Sequence, residues 1–502
     1  MYQCQMLKQT MGTPYHCHAY RTDNKVYRVL NPQTPLVRTE MYDRANCNTH
    51  PTGTNAVVAV ITYTGYDMED AMIINKSSYE RGFGHGVIYK TKVIEAAPTK
   101  GLSDGDKAAC RFTNIYLDTD GQIRRFKEDL NDDGFPDLGK KLHKGDSICC
   151  SVDQNGVEHV TAYKDDESAH IEAINLIEGT KVQGGEPCKR AVIKLRYPRN
   201  PIVGDKFSSR HGQKGVMSIL WPQEDMPFTE GGMTPDILFN PHGFPSRMTI
   251  GMLIESIAAK TAAAEGIVRA DASTFRGYQG QYNTSCDNED DPWLQKQEGE
   301  QERVTASKYF GKTLAKHGFN SLGTEVMYSG IHGTEIETEI FVGIVYYQRL
   351  RHLVSDKAQV RMRGPNDKIT HQPVKGRKAH GGIRFGEMER DSLLAHGASF
   401  LLHDRLMRSS DYDIGYVCPK CGSILSPQAN GARRLDAGKF QEGDPWECPA
   451  CSKKEKRLVR CHPMPVPWVF RYLAVEMASM NVKMKINVTD KAREASLCQL
   501  GG

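Results

Sequence analysis

Gly204-Asp-Lys-Phe-Ser-Ser-Arg-His-Gly-Gln-Lys-Gly215 carries four potential cations, Lys206, Arg210, His211 and Lys214, against one acid, Asp205. Its glycines let the backbone turn tightly and approach a ligand closely. Lys206, Arg210 and Lys214 recur at spacings of four. A loop of this kind suits a polyphosphate or a nucleic-acid backbone. It is not a Walker loop: no four-residue gap between glycines leads into Gly-Lys-Ser/Thr, and Lys214 is followed by Gly215. A solvated basic turn between strands would have a similar composition. The flanking sequence favours the anion-binding reading, because from Lys189 to Lys214 the bases Lys189, Arg190, Lys194, Arg196, Arg199, Lys206, Arg210 and Lys214 face Asp205 alone.

Away from that stripe the chain is nearly neutral, with 65 bases, 61 acids and a formal charge of +4 over 502 residues. Position therefore carries more information than total charge. The length allows two to four domains and a sizeable core. With 39% hydrophobic and 25% charged residues the composition is that of a soluble globular chain. No apolar run approaches the ~20 residues of a membrane span, and the first thirty residues lack the blocks of a signal peptide. An intracellular protein is expected. Met1 leads directly into patterned sequence, which suggests a missing upstream part.

Ala56-Val-Val-Ala-Val-Ile-Thr62 is an apolar, β-branched run of strand length, expected to be buried on both faces. Asp67, Glu69 and Asp70 follow at its end. Carboxylates at the rim of a core strand can reach Mg²⁺, which usually takes one or two protein carboxylates besides water and phosphate oxygens. If Glu69 and Asp70 are extended they face opposite ways, so only one would touch the ion. An acidic turn with a helix-capping Asp is the plainer alternative.

Residues 87 to 200 read as an inserted β-rich domain. Asp129-Leu-Asn-Asp-Asp-Gly134 imitates the start of an EF-hand, but Lys140 stands where the closing Glu is needed and Pro136 interrupts the loop, so a β-turn is expected. Ser246 is expected to cap a helix with Ile250, Leu253, Ile254 and Ile257 on its apolar face and Arg247 in its first turn. Acids predominate from Cys286 to Glu302. A helix is expected over Ala306 to His317, closed by Gly318, with β-structure near Ile336 to Tyr347. A second basic stretch, Arg351 to Arg390, includes Arg361, Arg377 and Lys378 around the flexible Gly376-Arg-Lys-Ala-His-Gly-Gly382, and suits backbone phosphates. Helices are expected over Leu393 to Met407 and from Val469 to about Asn481.

Cys418-Pro-Lys-Cys421 and Cys448-Pro-Ala-Cys451 are the most specific pattern in the chain. Four thiolates on two knuckles make a closed tetrahedral shell for structural zinc, with no open position for catalysis. Of the fourteen cysteines only these pair in this way, which fits a reducing compartment. Cys461 and His462 are left over as structural residues. The adjacent His16-Cys17-His18 cannot converge on one ion and has no partner pair nearby.

Gly65-Tyr-Asp-Met-Glu-Asp-Ala-Met72, the Gly204–Gly215 stretch, Glu224-Asp-Met-Pro-Phe228, Asn240-Pro-His-Gly-Phe-Pro-Ser-Arg-Met-Thr249 and Gly382-Ile-Arg-Phe-Gly-Glu-Met-Glu-Arg-Asp391 together resemble the second-largest subunit of multisubunit RNA polymerases, in order from about residue 1 to 488. Leu220-Trp-Pro222, Phe239, Gly251-Met-Leu-Ile-Glu-Ser256 and Val469-Phe-Arg-Tyr472 look most like the RNA polymerase I branch, with RNA polymerase III as the near alternative. A zinc-containing nucleic-acid-binding fragment with no catalytic share is the competing reading from another class. The family's N-terminal half is lacking.

The resemblance implies a mixed α+β, multidomain fold. Residues 1–86 and 200–382 would form a hybrid-binding region around a double-psi β-barrel and 87–199 a β-rich wall. Residues 383–407 would form a helical anchor, 408–488 a zinc-bearing clamp segment and 489–502 a tail. By similarity, Asp70 with Glu69 helps hold the second Mg²⁺ that arrives with the nucleoside triphosphate. Lys206 and Lys214 reach the RNA 3′ end and the nucleotide phosphates, Arg247 contacts the triphosphate, and Lys8 and Gln9 line the same site. The family's arginine just ahead of the position of Tyr2 is missing, which leaves that triphosphate site one cation short. The tightly held Mg²⁺ belongs to the largest subunit, so this chain alone is expected to be inactive. The implied partners are the largest and other core subunits, template DNA, nascent RNA and nucleoside triphosphates, with no membrane. The implied location is the nucleus and nucleolus.

Overall fold

The computed structural model describes residues 2–96, 111–118, 120–152, 156–178, 189–267, 270–273, 306–429 and 446–488. The acidic stretch 286–302 and the tail 489–502 lie outside the described residues. The chain forms two compact units, Met1–Lys357 and Ala358–Gly502. Among the described residues no helix is long and apolar enough to cross a membrane.

Six strands of the first unit pair in a closed ring: β1 (Thr54–Val60), β2 (Ala71–Asn75), β3 (Lys206–Ser209), β4 (Lys214–Trp221), β5 (Ile237–Phe239) and β6 (Ile340–Arg349). The order around the ring is β3, β4, β2, β5, β1, β6 and back to β3. The β4–β2 and β5–β1 pairs are parallel and the others antiparallel. The β3–β6 pairing closes the ring and covers the edge that β3 would otherwise expose.

Both faces of these strands are covered, as the β-branched runs require. Ala56, Val58, Met72, Ile74, Phe207, Ile237 and Phe239 form one core cluster, while their alternates Ala59, Ile73, Leu238 and Val342 join another. The period of two thus sorts one apolar run into two cores.

Helices α1 (Gly243–Arg247) and α2 (Ile250–Glu265) follow β5, and α3 (Ala306–Lys316) packs on α2. The expected single helix from Ser246 is corrected here. Met248 takes a left-handed φ of 52° and breaks the run, so Arg247 ends α1 rather than starting α2. That places its cation where the helix dipole favours one. The expected apolar face holds in part, since Ile254 and Ile257 pack against the core cluster of Val37, Ala258 and Phe310. Ile250 is 55% exposed, whereas Met252, Glu255, Ser256, Ala258, Ala259 and Ala262 are buried. Small residues let α2 lie close to β6: a Cβ at Gly343 would come 2.0 Å from Ser256 Oγ.

The segment between β2 and β3 supplies four strands of an antiparallel five-stranded sheet and Lys25–Val29, ahead of β1, supplies the fifth; the order is Lys25–Val29, Gly86–Glu95, Lys189–Arg199, Ala169–Glu178, Lys141–Leu142, with a three-stranded sheet nearby in sequence. Its core includes Ile88, Leu142, Ile148, Tyr163, Ile193 and Tyr197. The EF-hand imitation is a turn, with Gly134 N donating to Asn131 O at 3.0 Å.

The basic stripe does not persist as a stripe in space. Arg199 pairs with Glu167 and Asp356, Arg190 with Glu95 at 2.7 Å and Arg196 with Glu172 at 3.5 Å. Lys194, 2% exposed, donates to the carbonyl of His18. Neighbouring strands supply acids that the linear sequence keeps far away.

In the second unit the helix expected over 393–407 is divided. Helices α4 (Glu387–Ala395) and α5 (Ser399–His403) are separated at Gly397, φ 69°, and a π-helical turn follows over Asp404–Arg408. Strands Tyr412–Val417 and His462–Pro467 pair antiparallel and pack against α6 (Trp468–Ser479) through Val417, Val466 and Ala474.

Candidate functional site

Adjoining backbone of the barrel carries Lys206, Lys214 and Asp70, whereas four other residues singled out in the sequence, Arg210, His211, Arg377 and Lys378, point or lie elsewhere. Lys206 lies opposite Val216 on β4, and Val216 lies beside Ala71, the residue after Asp70. Ser208 lies opposite Lys214. By the period of two, Lys206 and Lys214 therefore project from the same face of the β3–β4 hairpin. Gly215 permits the close passage of β4 along β2. A Cβ there would lie 2.5 Å from Met72 Cε and 2.8 Å from the Asp70 carbonyl, which accepts a hydrogen bond from Val216 N at 2.9 Å.

Gln9, with Lys8 before it in sequence, joins from the other side. The Gln9 carbonyl accepts from Arg351 N at 2.7 Å, just past the end of β6, and Leu350 N donates to the Lys206 carbonyl at 2.9 Å. Gln9 Oε1 meets His352 Nε2 at 2.6 Å. Burial, then Lys357, Lys206 and Arg351, hold the His352 imidazolium pKa below its ordinary value. His352 thus favours the neutral form in this cationic neighbourhood.

Arg247 reaches across from α1 to Asp70, its Nη2 lying 2.5 Å from each carboxylate oxygen. Both side chains remain about a third exposed, at 33% and 39%. Glu69 is exposed, and its left-handed φ of 54° replaces the extended conformation from which opposite faces were argued. Asp67 anchors the loop. It is fully buried, Oδ2 accepts from Tyr63 N at 2.7 Å, and burial raises its carboxyl pKa.

Arg210 and His211 turn away from this cluster. Arg210 Nη2 donates to Glu255 and to the Val37 carbonyl at 2.8 Å, and His211 Nε2 lies 2.5 Å from Glu255 Oε2. Burial favours the neutral acid, but Arg210 and His211 together hold the Glu255 carboxyl below its usual range. These two bases brace the hairpin on α2. Asp205 braces its other side: it pairs with Arg349 at 2.7 Å, both 1% exposed, and accepts from Ile202 N and Val354 N. Asp205→Ala leaves Arg349 buried without its counter-charge and is expected to cost about 3–5 kcal/mol. A denaturant melt of the assembled protein checks this; an unchanged midpoint would count against the brace.

Arg377 and Lys378 belong to the second unit, on an exposed 3₁₀ turn after Gly376. Arg361, grouped with them as a phosphate ligand, instead stitches its own loop. Its guanidinium donates to the carbonyls of Gly364, Pro365 and His380 and to Asn366 Oδ1, all within 2.8–3.0 Å.

The four knuckle cysteines converge. The Sγ atoms of Cys418, Cys421, Cys448 and Cys451 lie within 4.8 Å of one another, with Cys421 and Cys448 3.9 Å apart. Zinc–sulfur bonds of about 2.3 Å give a tetrahedron with edges of about 3.8 Å, so the donor set fits zinc. Cys461 packs beside the cluster in the buried shell with Val459.

A sheet-rich α/β protein is thus defined, with cations and carboxylates on adjoining barrel strands and a four-cysteine cluster in a second unit. The family model RNA polymerase Rpb2, domain 6, matches residues 1–379, and RNA polymerase Rpb2, domain 7, matches residues 381–489. The chain belongs to the RNA polymerase Rpb2 family. It is 48% identical over 513 residues to the DNA-directed RNA polymerase I subunit RPA2 of Euplotoides octocarinatus, covering 98% of this chain and 41% of that one. The Homo sapiens protein of the same name is 48% identical over 489 residues, covering 97% and 40%. The Neurospora crassa relative is 44% identical over 543 residues, covering 100% and 41%. The chain therefore spans about two fifths of the length of these curated relatives.

Proposed function

We propose that the chain serves as the C-terminal portion of the second-largest subunit of DNA-directed RNA polymerase I, completing a nucleotidyl-transfer site with the largest subunit during transcription of ribosomal RNA precursors. The observation that carries this reading is the reach of Arg247 to Asp70 at the head of β2, beside the β3–β4 hairpin that bears Lys206 and Lys214 on one face. The closed six-stranded ring supports its assignment as the double-psi barrel of the hybrid-binding region. The antiparallel sheets over 87–199 are then the wall, 383–407 the anchor and 408–488 the clamp segment. The protein would work in the nucleus, within the nucleolus.

Asp70 fits the second Mg²⁺: its carboxylate is partly open to solvent, and one or two protein carboxylates suffice for that ion. Glu69, exposed beside it, adds a second acid. A bound Mg²⁺ would neutralise charge on the nucleotide phosphates as pyrophosphate leaves. The chain's own residues position and neutralise. Lys206 and Lys214 hold the RNA 3′ end and the phosphates between them, in the setting where fixed charge contributes most to phosphoryl transfer. Arg247 exchanges its Asp70 partner for the triphosphate, releasing the carboxylate. Arg377 and Lys378 contact backbone phosphates from the second unit, while Arg210 and His211 act by bracing the hairpin.

Affinity purification of the tagged endogenous protein tests the assignment. The largest polymerase subunit and the other core subunits are expected in the eluate. Recovery with nucleic acid alone would favour a stand-alone binding fragment.

A further inference from the structure

Arg247 reaches Asp70 from a constrained backbone. Met248, which follows it, holds a left-handed φ without being glycine, a conformation that persists only where its surroundings over-determine it. The chain then enters α2 two residues later, so the direction of the guanidinium depends on how the Met248–Thr249 corner is held.

Gln213 touches that corner from two sides. It is completely buried, and its Oε1 accepts a hydrogen bond from Thr249 Oγ1 at 3.2 Å. The Thr249 side chain makes no capping hydrogen bond to α2, although it occupies the capping position. The other end of the amide abuts the start of α1: a Cβ at Gly243 would lie 2.7 Å from Gln213 Nε2 and 3.1 Å from the Phe239 ring. Among the described residues Nε2 has no hydrogen-bond partner, an exception among buried amides. One side chain therefore spans both ends of the segment that bears Arg247, and its own neighbour in sequence is Lys214.

We propose that Gln213 is a positioning residue that locks the Arg247 segment to the lysine hairpin and aims the guanidinium at the nucleotide phosphates. This rests on the polymerase reading of the site. Elongation by the assembled polymerase is measured against nucleotide concentration for Gln213→Ala and Thr249→Val, each in the wild-type and Arg247→Ala backgrounds. Thr249→Val removes only the hydroxyl while keeping the shape, and so guards against a general packing defect. Gln213→Ala is expected to raise KM about tenfold with a smaller change in kcat, and Thr249→Val about threefold. In the Arg247→Ala background neither should add a further loss. Wild-type kinetics for both variants, or the same fold-loss in both backgrounds, would overturn the inference while leaving the polymerase reading intact. If Arg247→Ala alone leaves KM unchanged, the triphosphate role of Arg247 falls and the inference with it.

Discussion

Asp70→Ala in the assembled polymerase is expected to lower the elongation rate by about 100-fold or more, while affinity for template and transcript stays nearly unchanged. Asp70 stands at the head of β2, held there by the Val216 hydrogen bond to its carbonyl, so truncating the side chain leaves the strand in place. What is lost is the carboxylate that would bind the incoming metal and the partner of Arg247. A general loss of charge balance would weaken nucleic-acid binding and elongation together. Removing an acid beside phosphates instead spares binding and impairs chemistry. The required Mg²⁺ concentration should rise as well. A variant with normal elongation would sink the catalytic assignment.

Cys448→Ser is expected to have the largest effect on stability. A closed four-thiolate site contributes about 10–16 kcal/mol of zinc binding to folding in small zinc domains, and the Cys448 knuckle is buried among Cys418, Val459 and Cys461. Zinc content should fall from about one ion per chain to near zero, and the 446–461 segment should become sensitive to protease. Because the cluster has no open position, elongation by polymerase that still assembles should persist. Wild-type protein free of zinc would refute the site outright.

These two sites differ in how far the sequence exposed them. Two Cys-x-x-Cys pairs state their chemistry by spacing alone, and the structure brings the four sulfurs together. The apolar run at β1 was legible because burial on both faces demands it. The lysine hairpin was legible as a charge pattern, but its internal division was not. Asp205 looked like the loop's lone acid, whereas its partner Arg349 lies 144 residues away in sequence and comes to it only through the β3–β6 pairing. Arg210 and His211 looked like ligands for the same reason: their partner Glu255, on the buried face of α2, lies 45 and 44 residues away in sequence. The break at Met248 had no signal, since a left-handed methionine is set by tertiary contacts and no local preference announces it.

Labelling of the RNA 3′ end tests the central claim most directly. A transcript whose terminal ribose is oxidised to the dialdehyde forms a Schiff base with a nearby lysine, which borohydride then fixes. In an assembled elongation complex the label is expected on Lys206 or Lys214 and to disappear from each on substitution by arginine. Label confined to lysines elsewhere in this chain, or its complete absence from the chain, would contradict the placement of the lysine hairpin at the growing RNA terminus.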